Sequence, residues 1–193
     1  MKKIIVYWGM FLILMNGISG CAPGIKYARY ISKDPAFNLK MDYIAGWLYS
    51  EQHGGREAYA QVLFYEREKK DNLRRALIAV TVKPASGFDS QPVSALSVLY
   101  DILDKRSKFQ DAAVISKGER SNLLGVEART AEITYKTLDK LNVAGVKLIP
   151  VKEKIVVLRR GDIVYIVRYE NAARDFLSFE KAFNRILKTI TVP

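Results

Sequence analysis

The sequence is short of the residue types from which most catalytic and metal sites are built. Its 193 residues include one cysteine, Cys21, and one histidine, His53. A single cysteine excludes an intramolecular disulfide, and a lone histidine without a free thiol cannot complete a zinc site. No nucleophile elbow around a serine, no phosphate-binding glycine-rich loop and no calcium-type carboxylate cluster is present. The sequence therefore predicts no metal, no cofactor and no enzymatic activity.

Two isolated motifs do not change this expectation. His53 precedes Gly54-Gly55 in a predicted turn, where a lone histidine is typical of a solvated loop. Arg160-Gly161-Asp162 spells an adhesion tripeptide, but a glycine between two strand-like runs is also what a hairpin turn requires. We interpret both motifs as turn residues rather than as a catalytic base, a metal ligand or an integrin site.

The N-terminal segment is the most informative part of the sequence. Two lysines precede an unbroken apolar run over residues 4–15, which is shorter than the roughly 20 residues that a spanning helix needs. Ile18-Ser19-Gly20-Cys21 follows, with an aliphatic residue and two small residues before the cysteine. This segment resembles the lipobox of bacterial lipoproteins. The resemblance implies cleavage between Gly20 and Cys21 and transfer of diacylglycerol to the Cys21 thiol.

A lipobox implies a lipid-anchored protein of the bacterial cell envelope. Residues 1–20 would be the signal peptide, and Cys21 would begin the mature chain. Diacylglycerol supplies two acyl chains and N-acylation, for example with palmitate, a third; two chains already hold a protein stably on a bilayer. The residue after the cysteine is Ala22 rather than Asp, and by resemblance to enterobacterial lipoprotein sorting this implies the periplasmic face of the outer membrane in a cell that has one.

The chain is strongly basic, with a formal net charge of +11. In a cytoplasmic protein this excess would suggest nucleic acid, but an exported protein is not expected to meet nucleic acid. The bases form small groups at residues 69–75, 105–108 and 159–160, and groups of this size are typical of solvated surface. Anionic lipid headgroups, lipopolysaccharide or cell-wall polymers are the partners that the compartment allows.

The remainder of the chain predicts a tether and one domain. Residues 21–36, which contain two prolines and a glycine and show no clear period, form the predicted lipidated tether, and residues 37–193 form a single domain. Strand-like patterns occupy residues 37–49, 58–67, 76–83, 112–117, 126–135, 151–158 and 163–169. A charged turn separates the second pattern from the third, which favours an antiparallel hairpin.

Two segments have helical periodicity. The first has Asp89 or Ser90 as its predicted N-cap, Pro92 in its first turn and an apolar stripe of Val93, Leu96, Leu99, Tyr100 and Leu103. The second is capped near Asn171 and places six apolar residues on one side: Phe176, Phe179, Phe183, Ile186, Leu187 and Ile190. We interpret the three phenylalanines as core. The order of elements predicts an α+β fold, an antiparallel β-sheet with two main helices.

Several segments together carry a resemblance to a known fold family. They are Phe37-Asn38-Leu39 leading to Gly46-Trp47, the strand Ala79-Val80-Thr81-Val82 before a long helix, residues 125–135, and residues 161–167 running into a C-terminal helix that ends near Ile190. The chain resembles the PsbP-like or Mog-type α/β/α sandwich over residues 36–192, a family that bacteria often carry as small lipoproteins. The resemblance rests on packing patterns. It implies binding through a surface rather than a common reaction.

Two functions are therefore left open. The first is a non-enzymatic, membrane-tethered accessory or binding lipoprotein that acts through protein–protein contacts, with an envelope protein complex as its partner. The second is a carrier of a small or lipid-like ligand in a cleft between sheet and helix, suggested by the aromatic-rich strands Tyr59–Tyr65 and Tyr165–Tyr169. A deep apolar pocket would favour the carrier, and a filled core would exclude it.

Overall fold

A computed structural model describes residues 24–33, 39–53, 60–67, 76–85, 93–138 and 148–191. In these residues the strands are β1 (Tyr27–Ile31), β2 (Lys40–Ile44), β3 (Leu48–His53), β4 (Ala60–Tyr65), β5 (Leu77–Pro84), β6 (Gln110–Leu123), β7 (Val126–Leu138), β8 (Leu148–Arg160) and β9 (Ile163–Ala172). The helices are α1 (Ala95–Ser107) and α2 (Leu177–Thr189), and a 3₁₀ turn at Ala173–Asp175 precedes α2.

Seven strands form one antiparallel sheet in the order β3-β4-β5-β9-β8-β7-β6, and β1 and β2 form a separate antiparallel hairpin. The predicted pairing of the segments before and after the charged turn is confirmed, because β4 pairs with β5 from Ala60↔Val82 to Tyr65↔Leu77. The predicted α+β fold, an antiparallel sheet with two main helices, is also confirmed.

The two helices cover opposite faces of the sheet. In the central strand β9, Tyr165, Val167 and Tyr169 pack in a core cluster with α2, whereas Val164 and Ile166 pack in a second cluster with α1. Successive side chains of a strand point to opposite faces, so this alternation separates the clusters. The hairpin β1–β2 shares the α2 face of the sheet. The result is a three-layer α/β/α sandwich.

The apolar stripe of the C-terminal helix is buried as predicted. Phe176, Phe183 and Ile186 have almost no exposed surface, and Phe179 is partly buried. The Phe179 ring meets Trp47 edge to face at a centroid distance of 5.2 Å. Burial of such a side chain contributes about 1.5 to 3 kcal/mol. The stripe therefore holds α2 against the sheet.

Both helices begin later than predicted. Asp89, Ser90 and Pro92 lie outside the described residues, and the N-cap of α1 is Ser94, whose hydroxyl accepts a hydrogen bond from the Ser97 amide at 3.0 Å. A serine in this position satisfies an amide that the helix itself leaves unpaired. The stripe is also rotated from the prediction. Leu99 and Leu103 are buried together with Val98, while Leu96 is partly buried and Tyr100 is exposed.

Asn171 lies at the end of β9 rather than at the start of α2. Its Oδ1 accepts a hydrogen bond from the Ala172 amide at 2.8 Å, and its Nδ2 donates to the carbonyl of Asp175 at 3.0 Å. The side chain thus closes the 3₁₀ turn, and α2 begins at Leu177. The predicted cap is wrong because asparagine satisfies backbone groups of a turn as readily as those of a helix start.

The segment predicted as a tether contains part of the domain. β1 lies within residues 21–36 and pairs with β2 from Tyr27↔Ile44 to Ile31↔Lys40. Tyr30 is buried and meets Phe64 edge to face at 5.2 Å. The extended run predicted over residues 37–49 is also interrupted, because a turn at residues 45–46 separates β2 from β3. Phe37 lies outside the described residues.

Candidate functional site

A buried polar cluster lies at the C-terminal end of α1, on the α1 face of the sheet. Glu153 is fully buried, and its carboxylate accepts hydrogen bonds from Nε and Nη2 of Arg106 at 2.7 and 3.2 Å. The Tyr135 hydroxyl donates to Glu170 at 2.8 Å and lies 3.2 Å from Glu153. Arg168 adds a contact to Glu153 at 3.4 Å.

The geometry of this cluster indicates a structural role. Glu153 and Glu170 are register partners on β8 and β9, so their carboxylates need positive charge between or beside them. Burial alone would lower the pKa of Arg106, but the carboxylate of Glu153 outweighs it and raises the pKa above its ordinary value. Catalytic carboxylates must reach a substrate. Glu153 has no exposed surface, so it anchors α1 to the sheet.

The outer strand β6 is the most irregular element of the sheet. Its register against β7 shifts between Gln110 and Ala113, between Val114 and Ser116, and between Ser116 and Glu119. Such β-bulges increase local twist and interrupt the hydrogen-bond ladder. Gly118 has a positive φ of 73°, and a Cβ built on it would lie 3.2 Å from Leu96 Cδ1 of α1. The bulged strand therefore curves closely past α1.

A small cleft opens between α1 and β6. It has a volume of about 250 Å³ and is lined by Tyr100, Leu103, Asp104, Ser107, Val114 and Lys117. The Lys117 ammonium lies 4.7 Å from the centre of the Tyr100 ring. The cleft residues Tyr100 and Val114 are exposed, and so are Phe109, which joins α1 to β6, and Ile115, which follows Val114 and is 56% exposed. We call these four side chains and the cleft the edge surface.

Sequence reasoning missed the edge surface because its residues come from two elements that meet only in the fold. One local signal was available. Val114 and Ile115 are adjacent apolar residues in a strand that is otherwise polar or small up to Asn122, so a regular pleat would turn one of them away from the core. Both are exposed in the structure, and the ladder is bulged beside them.

The other residues predicted from the sequence are not part of the edge surface where the structure describes them. Gly20 and Cys21 lie outside the described residues. His53 is the last residue of β3 rather than a turn residue, and its half-exposed imidazole lies 3.7 Å from Glu51. Arg160-Gly161-Asp162 forms the β8–β9 turn, with a positive φ of 56° at Gly161, as the hairpin interpretation predicts.

The predicted basic groups are surface charges where the structure describes them. Lys105 pairs with Asp101 at 2.8 Å and Lys108 with Asp104 at 3.1 Å, both one helical turn apart. Arg106, from the same group, points instead to the buried Glu153. Residues 69–75 lie outside the described ranges. Neighbours in sequence thus serve different purposes, and residues 105–108 do not form an anion pocket.

The aromatic strands that suggested a ligand cleft are part of the core. Phe64, Tyr165 and Tyr169 have almost no exposed surface, whereas Tyr59 lies outside the described residues. The Tyr169 hydroxyl donates to the carbonyl of Phe176 at 2.6 Å, and burial raises the pKa of Tyr169 to about 12. These rings fill the space between sheet and helix, so they do not line a ligand cavity.

Two further features are absent from the described residues. Among them, no three His, Cys, Asp or Glu side chains are grouped so that they could hold a metal ion. Within the same ranges, no helix has the length and apolar character needed to cross a membrane.

The arrangement of sheet, hairpin and helices is that of the PsbP-like α/β/α sandwich. The cyanobacterial PsbP (CyanoP) of Synechocystis superposes with a TM-score of 0.57 at 16% identity, over 92% of this chain and 99% of that chain. LpqN of Mycobacterium tuberculosis, which is involved in cell envelope biogenesis, gives a TM-score of 0.55 at 16% identity, over 88% of this chain and 92% of that chain.

PA94 of Pseudomonas aeruginosa, a protein of unknown function, gives a TM-score of 0.51 at 15% identity, over 86% of this chain and 96% of that chain. No protein-family model and no curated protein matches the sequence. At these identities the likeness shows the fold, and it confirms the expected PsbP-like architecture. The fold by itself leaves the function to be argued from the surfaces.

Proposed function

We propose that the chain is a membrane-tethered, non-enzymatic accessory lipoprotein of the bacterial cell envelope that binds a protein partner. The edge surface carries this proposal, because it presents apolar side chains at the edge of a sheet. Two further observations support it. Ile18-Ser19-Gly20-Cys21 resembles a lipobox, and LpqN, whose role is in envelope biogenesis, shares the fold over most of both chains.

The composition of the edge surface fits a protein partner. Interface centres are enriched in aromatic and apolar residues and carry a polar rim. Here Tyr100 and Val114 are exposed at the cleft, Ile115 is exposed next to Val114 on β6, and Asp104 and Lys117 lie at the cleft wall. The bulges of β6 interrupt the ladder that an added strand would need. The partner therefore binds through side chains rather than by extending the sheet.

The carrier function is less well supported. Pockets for small ligands measure about 300 to 1,000 Å³ and bury most of the ligand. The cleft between α1 and β6 has about 250 Å³, and polar side chains such as Asp104 and Lys117 form part of its wall. The cleft is thus smaller than such a pocket, and its lining mixes polar with apolar side chains.

Site-specific crosslinking tests the binding function in the full chain in its own cells. A photoreactive residue at position 115 should capture one protein reproducibly, because Ile115 is exposed on the edge surface. Position 122 is the control, because Asn122 is exposed on the same strand outside that surface. The captured protein should also copurify with the native chain and be lost with Val114→Asp. Equal capture at both positions, or none at position 115, would contradict the proposal.

A further inference from the structure

The exposed side of α2 carries a stripe of positive charge. Lys181, Arg185 and Lys188 are exposed and follow one another at intervals of four and three residues. Such spacing places side chains on one side of a helix. The opposite side of α2 carries the buried residues Phe183 and Ile186, so the basic stripe points away from the core.

The hairpin β1–β2 extends this positive surface. The Arg185 guanidinium lies 4.2 Å from the centre of the Tyr27 ring of β1. At the end of α2, the backbones of Lys40 and Thr191 exchange hydrogen bonds of 3.3 and 2.7 Å. The helix stripe and the hairpin are therefore one continuous surface. We call it the basic face; its exposed bases are Lys26, Arg29, Lys33, Lys40, Lys181, Arg185 and Lys188.

Little negative charge balances the basic face within the described part of the chain. Asp42 pairs with Arg29 at 2.9 Å, and Glu180 turns to Lys154 at 3.0 Å. Asp175, which lies just before the start of α2, pairs with Arg174 at 3.3 Å. The remaining bases are left to interact with an anionic surface outside the protein.

Apolar side chains stand among these bases. Leu177 is 75% exposed and lies one turn before Lys181 on the α2 stripe. Ile31 is 59% exposed and lies two residues after Arg29, so both point to the same side of β1. A surface that combines exposed bases with exposed aliphatic side chains is typical of proteins that rest on a membrane interface.

The position of the predicted anchor selects the same face. Cys21 precedes Tyr27 by six residues, and a segment of that length spans at most about 20 Å when extended. The acyl chains on Cys21 would thus enter the bilayer beside β1 and the basic face. α1 packs on the other face of the sheet, and β6 lies at the sheet edge opposite β3. The anchor therefore leaves the edge surface at a distance from the membrane.

We infer that the basic face of α2 and the β1–β2 hairpin lies against the anionic headgroups of the anchoring membrane, which turns the edge surface outward for the protein partner. The inference rests on the lipid anchor of the proposed function. It assigns the bases of this one face to a single occupant. The bases come from both ends of the domain, so no run of charges in the sequence marks the surface.

Spin labels on the full lipidated chain can measure which face is near the lipid. One label is attached through Asn184→Cys on the α2 stripe, and a matched control through Asn122→Cys on β6; both asparagines are exposed. The chains are reconstituted into vesicles of phosphatidylcholine with or without phosphatidylglycerol, which carry a nickel-chelating lipid as a headgroup relaxant. Because the thiol of Cys21 would carry lipid, the parent chain should take up no label.

The label at position 184 should relax at least about threefold faster than the label at position 122 on anionic vesicles, and the difference should fall at high salt and on neutral vesicles. The difference in relaxation between the two labels should disappear in the triple variant Lys181→Glu, Arg185→Glu, Lys188→Glu. A control triple variant makes the same charge change on the α1 side, through Lys105→Glu, Lys108→Glu and Lys117→Glu. In this control the difference in relaxation should remain.

Three results would overturn the inference. One is equal relaxation of the labels at positions 184 and 122. Another is a difference in relaxation between them that does not change with salt or with lipid charge. The third is a label at position 184 remote from lipid together with loss of the crosslinked partner in the α2 triple variant, which would assign the basic face to a protein. Failure of the anchor itself looks different, because the parent chain would then leave the vesicles on washing and its Cys21 would accept the label.

Discussion

Arg106 and Glu153 form a two-hydrogen-bond ion pair that ties the last turn of α1 to the interior of the sheet. The Nε and Nη2 atoms of Arg106 lie 2.7 and 3.2 Å from the two carboxylate oxygens. The guanidinium also lies beside the rings of Phe109 and Tyr135, at 5.3 and 5.6 Å from their centres. Because Glu153 is fully buried, its negative charge would lack its main partner inside the protein without Arg106.

Arg106→Ala should lower the free energy of unfolding by about 3 to 5 kcal/mol, because it leaves the buried carboxylate of Glu153 without its main partner. Urea denaturation of the full chain in detergent measures this change. The matched control is Lys105→Ala on the same helix, which removes only an exposed pair with Asp101 and should cost about 0.5 kcal/mol or less. Equal losses for the two variants would show that the cluster does not anchor α1.

The stabilising contribution of Glu132 should be lost in acid. Burial alone would raise the pKa of Glu132, but hydrogen bonds and charge from Lys152 and Lys154, at 2.7 and 3.4 Å, lower it below its ordinary value. As the pH falls through the ordinary carboxyl range, the unfolded chain binds this proton before the folded chain does. The stability that Glu132 contributes at neutral pH is therefore lost towards the lower, folded-state pKa.

The variant Glu132→Gln removes this titration. Between about pH 7 and about pH 3, the midpoint of urea unfolding should decline less steeply for the variant than for the native chain. Glu119→Gln makes the same charge change at an exposed position of β6 and serves as the control. Parallel declines for the native chain and Glu132→Gln would show that the contacts with Lys152 and Lys154 contribute no pH-dependent stability.

Periodicity made much of the fold predictable. The β4–β5 hairpin, the long C-terminal strands and the apolar stripe of α2 all follow from residues that are neighbours in sequence and repeat at two or 3.6 residues. Phe183 is an example, because its burial follows from its place on the stripe. Element starts were less predictable, since Ser94 and Asn171 offer side-chain hydrogen bonds that suit a cap or a turn equally.

The candidate surfaces could not be predicted from local patterns. The basic face joins Lys40 of β2 to Lys188 of α2, and these residues share one surface only because β2 packs beside the end of α2. The same holds for the edge surface, where Tyr100 of α1 and Val114 of β6 line one cleft although they are distant in sequence. β1 was missed because it is only five residues long and lies in a segment with no clear alternation.

The close approach of β6 to α1 gives a further prediction at Gly118. Gly118→Ala should destabilise the domain by about 1 to 2 kcal/mol through its positive φ alone, and by more because the new methyl group would meet Leu96 Cδ1 at 3.2 Å. Gly125→Ala is the matched control, since Gly125 also has a positive φ but no atom within 4 Å of its added Cβ. Thermal unfolding of both variants compares them, and an equal loss would mean that α1 does not press on the strand.

The docking of α2 can be tested at Phe183. Phe183→Ala should cost about 3 to 5 kcal/mol, because Phe183 is fully buried and stacks on Tyr169 at a centroid distance of 5.5 Å. Lys181→Ala, two residues earlier on the exposed side, should change the stability by no more than about 0.5 kcal/mol. Chemical denaturation of the full chain gives both values. Similar stabilities for the two variants would mean that α2 is not held by its aromatic stripe.

The anchor prediction concerns the one cysteine of the chain. Cys21→Ala should abolish lipid attachment, and the domain should leave the membrane fraction, because only the thiol can carry diacylglycerol and a single anchor of that kind accounts for stable attachment. Incorporation of an alkyne-labelled fatty acid and mass spectrometry of the new N-terminus measure the two halves of the prediction. Ala22→Ser is the control, because it changes the next residue and keeps the thiol. A Cys21→Ala chain that remains uncleaved in salt-washed membranes would assign the anchoring to the apolar run over residues 4–15, and the lipoprotein interpretation would have to be withdrawn.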